Sequence, residues 1–257
     1  MPGKSMRPDG AINSNKRIEI LKGKIGKSLS CLFDFVFPPV CLECGRRGEW
    51  LCAACKGSLW FRPNQDCLVC GKPNENGESC WICRETAPLR HCWAAYSYKQ
   101  KPAVALVKRI KYEFISKAGE TAAELLIEFV LEKRINEALP KNVCVVPVPL
   151  HWHRYCWRGF NQSALLAQPL AQHFGWSFEP RLLQRIKSSK PQAMLSREER
   201  LKNLADHFEV NKRQEIKNKH ILLVDDVVTT GGTMIECAKA LKAAGAKSVC
   251  ALTLLRG

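Results

Sequence analysis

Residues 221–233 read Ile-Leu-Leu-Val-Asp-Asp-Val-Val-Thr-Thr-Gly-Gly-Thr, and this run limits the fold more than any other part of the chain. Its four leading aliphatic residues, 221–224, predict a strand buried on both faces. Two carboxylates close the strand, a Thr/Gly turn follows, and residues 233–244 read as a helix ending at Gly245. A buried strand passing through a glycine turn into a helix belongs to α/β architecture, where ligands sit at the carboxyl ends of strands.

The chemistry of the run is equally specific. Gly231 and Gly232 let the backbone approach an anion, and the start of the following helix supplies N–H donors and a favourable dipole. The hydroxyls of Thr229, Thr230 and Thr233 add donors, and Val227 and Val228 carry the backbone between acids and turn. Asp225 and Asp226 accept hydrogen bonds only, which suits the 2′- and 3′-hydroxyls of a ribose. Residues 225–233 therefore read as a pocket for the ribose and 5′-phosphate of phosphoribosyl pyrophosphate. A simple capping turn needs one acid rather than two followed by three threonines. A Walker B strand would require a Gly-x-x-x-x-Gly-Lys-[Ser/Thr] loop elsewhere, and the chain has none; a Rossmann Gly-x-Gly-x-x-Gly is also missing.

Upstream, strands and helices alternate. Residues 93–98 and 143–148 read as strands, 103–111, 121–137 and 161–173 as helices, and 248–254 as a last strand. Gly175 is placed to cap the third of these helices. Residues 181–200 are polar and basic, with Ser196 positioned to cap a helix over 197–204. The alternation predicts a parallel twisted sheet with helices on both faces.

Eight of the 14 cysteines form four Cys-x-x-Cys pairs: Cys41/Cys44, Cys52/Cys55, Cys67/Cys70 and Cys80/Cys83. Two intervening residues let both thiolates of a pair reach one tetrahedral zinc. Four full pairs predict two structural Zn²⁺ ions without an open position for water. Consecutive pairs joining into two knuckles is the favoured arrangement; interleaving Cys41/Cys44 with Cys67/Cys70 is the other. Glycine turns are expected at Cys44–Gly45, Cys70–Gly71 and Asn76–Gly77, and another turn at Pro73–Asn74. Thiol–disulfide chemistry fits poorly, because a redox pair does not recur four times. Cys31 and Cys92 read as bystanders.

Residues 1–28 form a polar, basic leader expected to be disordered, and 29–36 a short helix stopped before Pro38–Pro39. That apolar stretch is too short to span a bilayer and lacks an export cleavage site, so a cytoplasmic protein that is not an integral membrane protein is expected, acting there or at the inner face of the membrane. The net charge of +16 favours polyanionic partners. Aromatic and basic residues interleave over 151–158, the pairing that holds single-stranded nucleic acid; Trp152, Arg154 and Tyr155 are candidates there, with Arg109 and Arg197 elsewhere. His151 and His153 read as structural.

On the 221–233 run, the chain resembles the type I phosphoribosyltransferases over roughly residues 93–257. The resemblance implies that the acids touch the ribose and that 229–233 hold the 5′-phosphate. It further implies that Pro147–Leu150 form the pyrophosphate loop, and that Mg²⁺ is held mostly by the ligand itself. More specifically, the chain is identified as a member of the ComF family, which joins an N-terminal double zinc ribbon to this fold. The matching features are 147–150 leading to Arg158–Gly159–Phe160–Asn161–Gln162, then Lys190–Pro191–Gln192 to Leu195–Ser196, then Arg200 with Asn203. Arg158, Lys190 and Lys111, within matched motifs, are implied contacts for pyrophosphate. The implied organisation is a leader (1–28), a short helix with the double ribbon (29–92) and a phosphoribosyltransferase-like domain (93–257).

The function implied by the resemblance is natural transformation: handling incoming single-stranded DNA, with a phosphoribosyl pyrophosphate pocket and other DNA-uptake proteins as partners. An active phosphoribosyltransferase with an unidentified acceptor and a ligand-sensing regulator are the alternatives. A glutamine-dependent amidophosphoribosyltransferase is not expected, since it needs an N-terminal cysteine nucleophile and an ammonia-producing domain and neither is visible.

Overall fold

The structure, a computed structural model, describes residues 38–112, 116–186, 207–211 and 216–257. The expected helices over 29–36 and 197–204, together with Cys31, Lys190 and Arg197, lie outside the described residues. The chain divides into two compact units, Met1–Cys52 and Ala53–Gly257. In the first, Val40 bridges Arg47 antiparallel, and the Cys41 N–H donates to the Arg46 carbonyl at 2.8 Å. Gly45, at φ 75°, makes the expected turn and donates to the Cys41 carbonyl at 2.9 Å.

The second unit opens with helix α1 (Ala53–Gly57) and the antiparallel pair β1 (Gln65–Asp66) and β2 (Pro73–Asn74). Pro73–Asn74 is thus a strand and not the turn that its composition suggests. The reversal is made instead at Gly71, φ 76°, whose N–H donates to the Cys67 carbonyl at 2.8 Å. Proline is tolerated because the strand is a two-residue edge.

There follow β3 (His91–Ser97), α2 (Lys101–Tyr112), α3 (Ser116–Glu132), α4 (Ile135–Ala138) and β4 (Val143–Pro147). The single helix expected over 121–137 is two helices, because Arg134 turns left-handed at φ 53° between them. Next come α5 (Trp152–Arg158), α6 (Gln162–Phe174), β5 (Ser177–Phe178), β6 (Leu183–Arg185) and β7 (Phe208–Val210). Gly175 caps α6 in the left-handed region as expected. The chain ends with β8 (His220–Val228), α7 (Gly232–Ala243) and β9 (Ser248–Arg256).

Five strands form one sheet in the order β3-β9-β8-β4-β5, every pairing parallel. Alternate residues of β8 divide between two cores. Ile221 and Leu223 join Met234, Cys237 and Leu241 of α7 and Phe208 of β7 in one cluster. Helices α3 and α6, with fully buried Leu125, Leu126, Leu166 and Leu170, pack against each other, and α6 lies on β4 and β8. From β4 the chain steps outward to β5, and from β8 outward to β9. The connections therefore diverge between β4 and β8, which opens a crevice at their carboxyl ends.

Candidate ligand crevice and metal centres

The acidic pair stands at the mouth of that crevice. Strand β8 continues four residues past the expected 221–224, because β9 pairs with it through Val228↔Arg256, whereas β4 accompanies it only as far as Val224. Asp225 and Asp226 are accordingly laddered on one edge and open on the other. Successive strand side chains point opposite ways, so the two acids meet different partners. Asp225 Oδ1 accepts from the Ser163 hydroxyl at 2.7 Å and from the Asp226 amide at 2.9 Å. Asp226, buried, has Lys111 Nζ 2.7 Å from its Oδ2, a charge contact off the line of a hydrogen bond. Burial, and then the neighbouring Asp226 carboxylate, push the Asp225 carboxyl up to about 7.

The Arg158–Gln162 segment explains itself residue by residue. Arg158, 8% exposed, ends α5 and donates from a guanidinium nitrogen to Gln162 Oε1 at 2.7 Å; the Asp226 carboxylate offsets the effect of its burial. Gly159 takes the left-handed cap at φ 77°. Asn161 caps α6, accepting from the Ser163 amide at 3.1 Å, and its Nδ2 donates to the Val148 carbonyl at 3.0 Å. That last bond ties the segment to the loop after β4, so Arg158, Ser163, Asp225 and Asp226 are held by one network.

Beyond the acids, Val227 and Val228 extend the ladder to Leu255 and Arg256, and Val228 is buried in the core. Thr229 is exposed, Thr230 and Thr233 half-buried, and Gly231 and Gly232 buried. Gly231 has φ 82° and its carbonyl accepts from Ile235 N–H at 2.9 Å, which starts α7. The first turn of that helix presents N–H donors toward the turn. The structure thus brings Lys111 and Arg158 to the acidic pair together with Gln162 of the matched motif, and adds Ser163, which no sequence signal marks: it lies 62 residues from its partner Asp225.

The aromatic candidates occupy a neighbouring feature. Trp152 and Tyr155, both more than half exposed, line a cleft of about 680 Å³ with Pro149, Leu150, Arg181 and Arg185. Arg154 is exposed on the same helix, while Arg109 is half-buried in the last turn of α2. His151 is buried, caps α5 by accepting from the His153 amide at 3.4 Å, and is pushed below its ordinary pKa by burial. The structural role expected of it holds.

The cysteines gather consecutively. The ligand atoms of Cys41, Cys44, Cys52 and Cys55 all lie within 4.8 Å of one another, and so do those of Cys67, Cys70, Cys80 and Cys83. In the first group the Cys52 amide donates to Cys41 Sγ at 3.4 Å. Burial opposes ionisation of Cys41, but backbone donors at Cys44, Cys52 and Glu43 bring its thiol down to about 6. All-sulfur tetrads with amides turned to the thiolates fit tetrahedral Zn²⁺.

Residues 161–257 match the phosphoribosyl transferase domain, and residues 32–84 match the double zinc ribbon domain. The chain is 34% identical to the DNA utilization protein YhgH of Salmonella typhi, across 77% of this chain and 87% of that protein. It is 31% identical to YhgH of Escherichia coli over 79% and 88%, and 28% identical to competence protein F of Haemophilus influenzae over 77% and 93%. Fold, cysteine tetrads and these relatives converge: the chain belongs to the ComF family of double-zinc-ribbon, phosphoribosyltransferase-fold proteins.

Proposed function

We propose that this chain is a competence factor for natural transformation that handles incoming single-stranded DNA and binds phosphoribosyl pyrophosphate between β4 and β8. The observation that carries the reading is the crevice itself, where two acids, two cations and a helix start meet at a switch point of the sheet. Asp225 and Asp226 accept from the ribose hydroxyls, Val227 and Val228 lead into the turn, and residues 229–233 with their glycine pair hold the 5′-phosphate. Arg158, Lys111 and Lys190 are the cations assigned to neutralise the pyrophosphate, and Mg²⁺ would come with the ligand. Trp152 and Tyr155 offer stacking rings beside the crevice, and Arg109, Arg154 and Arg197 neutralise DNA phosphates. The protein works in the cytoplasm, at the inner face of the membrane, where DNA arrives and other uptake proteins meet it. The names of the relatives support this biology, and the charge of +16 supports the partner.

A transformation assay tests the reading: chains with Asp225→Asn or Asp226→Asn, present at normal levels in a deletion strain, should fail to restore transformants. Full restoration by both variants would refute a role for the pocket. A second reading, catalysis of phosphoribosyl transfer, draws on Asp225, which near neutrality can take or give a proton. Pyrophosphate release across a panel of bases and amines decides it, and no turnover with any acceptor would leave a binding or sensing pocket.

A further inference from the structure

Gly231 has a second reason to be glycine besides its φ of 82°. A Cβ placed there would stand 2.4 Å from Leu68 Cγ and 2.5 Å from its Cδ1. The space that another residue's side chain would fill is therefore taken by Leu68, which directly follows Cys67 of the second tetrad. Leu68 is 2% exposed and shares a core with Val228, Met234 and Ile235 on either side of the glycine turn. The ribbon around it is fastened to the sheet. Gln65 donates to the Ala94 carbonyl at 3.2 Å and accepts from its amide at 2.9 Å, as a neighbouring strand would. Asp66 holds Arg62 at 2.8 Å and Arg256 at 3.6 Å, and Arg256 is the register partner of Val228.

We propose that Leu68 is a positioning residue for the phosphate turn, so that the second zinc knuckle forms part of the anion-binding apparatus. Zinc on Cys67, Cys70, Cys80 and Cys83 fixes the knuckle, the knuckle fixes Leu68, and Leu68 fixes Gly231 and the first turn of α7. Any free energy that zinc contributes to the turn's geometry returns as tighter hold on zinc when an anion binds, since coupling between sites is reciprocal. The ligand half of this inference rests on the proposed phosphoribosyl pyrophosphate site; the positioning half does not.

The test uses the full zinc-loaded chain as wild type, Leu68→Ala, Leu68→Met and, as an exposed control on the same knuckle, Trp81→Ala. Hydrogen exchange of the amides at 229–234 is followed without ligand. It should accelerate about tenfold in Leu68→Ala while amides at 249–255 keep their rates. Leu68→Met should restore protection, and Trp81→Ala should leave it unchanged. With Mg²⁺ and phosphoribosyl pyrophosphate, chelator-driven release of one of the two zinc ions should slow in wild type and not in Leu68→Ala. If Leu68→Ala fails to hold zinc or to fold, Leu68→Val, one methylene smaller, should give an intermediate rate at 229–234. Unchanged exchange in a folded Leu68→Ala, or in Leu68→Val where that variant replaces it, overturns the proposal whether or not wild type binds the ligand. Altered exchange in a protein that never binds phosphoribosyl pyrophosphate overturns the ligand and leaves the positioning role standing.

Discussion

At the scale of single residues, Asp225 has the sharpest consequence. Its carboxyl is pushed up to about 7, whereas in an unfolded chain it titrates in the usual carboxylate range. A raised folded pKa stabilises the fold below the unfolded value, and that stability is lost as pH climbs toward 7. Melting of wild type should therefore fall between about pH 4 and pH 7 relative to Asp225→Asn, whose Oδ1 can still accept from Ser163 and the Asp226 amide. Parallel melting curves for the two proteins would contradict this assignment. Ligand binding runs the other way, because ribose hydroxyls need the ionised acceptor, so affinity should rise through pH 7 in wild type only. Gly231→Ala meets both a left-handed backbone and the Leu68 side chain; an expected loss of about 1–3 kcal/mol would show in chemical denaturation.

The elements show what a sequence can and cannot reveal. Strands such as Val143–Pro147 and Ser248–Arg256 were legible because buried parallel strands are nearly continuous aliphatic runs. So were the cysteine tetrads, since metal geometry writes itself into spacing. The pair Leu183–Arg185 and Phe208–Val210 was not legible, because three-residue strands have no period to detect, and neither was helix α5, whose exposed Trp152 and Tyr155 break the usual amphipathic pattern. Within the site, the acids and the glycine turn could be read locally, but Ser163 and Leu68 reach it across the fold and no local pattern marks them. Motif 158–162 acts as an element of its own, which gives it a measurable weight. Asn161→Ala removes a helix cap and the tether to Val148, and should destabilise by about 1 kcal/mol or somewhat more. Calorimetric melting with and without phosphoribosyl pyrophosphate would separate the cap, which moves both curves, from the tether, which weakens the ligand's effect.

For the whole molecule, zinc and charge dominate. Each tetrad should hold one zinc, so Cys44→Ser and Cys67→Ser should each leave a single equivalent by metal analysis. Cys67→Ser should in addition lower the melting temperature of the phosphoribosyltransferase-fold unit, because the second tetrad lies in the same compact unit as the sheet. No helix among the described residues is long and apolar enough to cross a membrane, and the charge of +16 is available to polyanions. Binding to single-stranded oligonucleotides should weaken steeply and log-linearly with salt, and Trp152→Ala with Tyr155→Ala should weaken it at every salt concentration. Salt-insensitive binding would remove the electrostatic basis of the proposed partner. The most direct measurement for the central claim is titration calorimetry of phosphoribosyl pyrophosphate with Mg²⁺ into wild type, Asp225→Asn and Asp226→Asn. Saturable binding of one ligand per chain, weakened about tenfold or more by either substitution, is the expected result; no binding to wild type, or equal affinity in all three proteins, would contradict it.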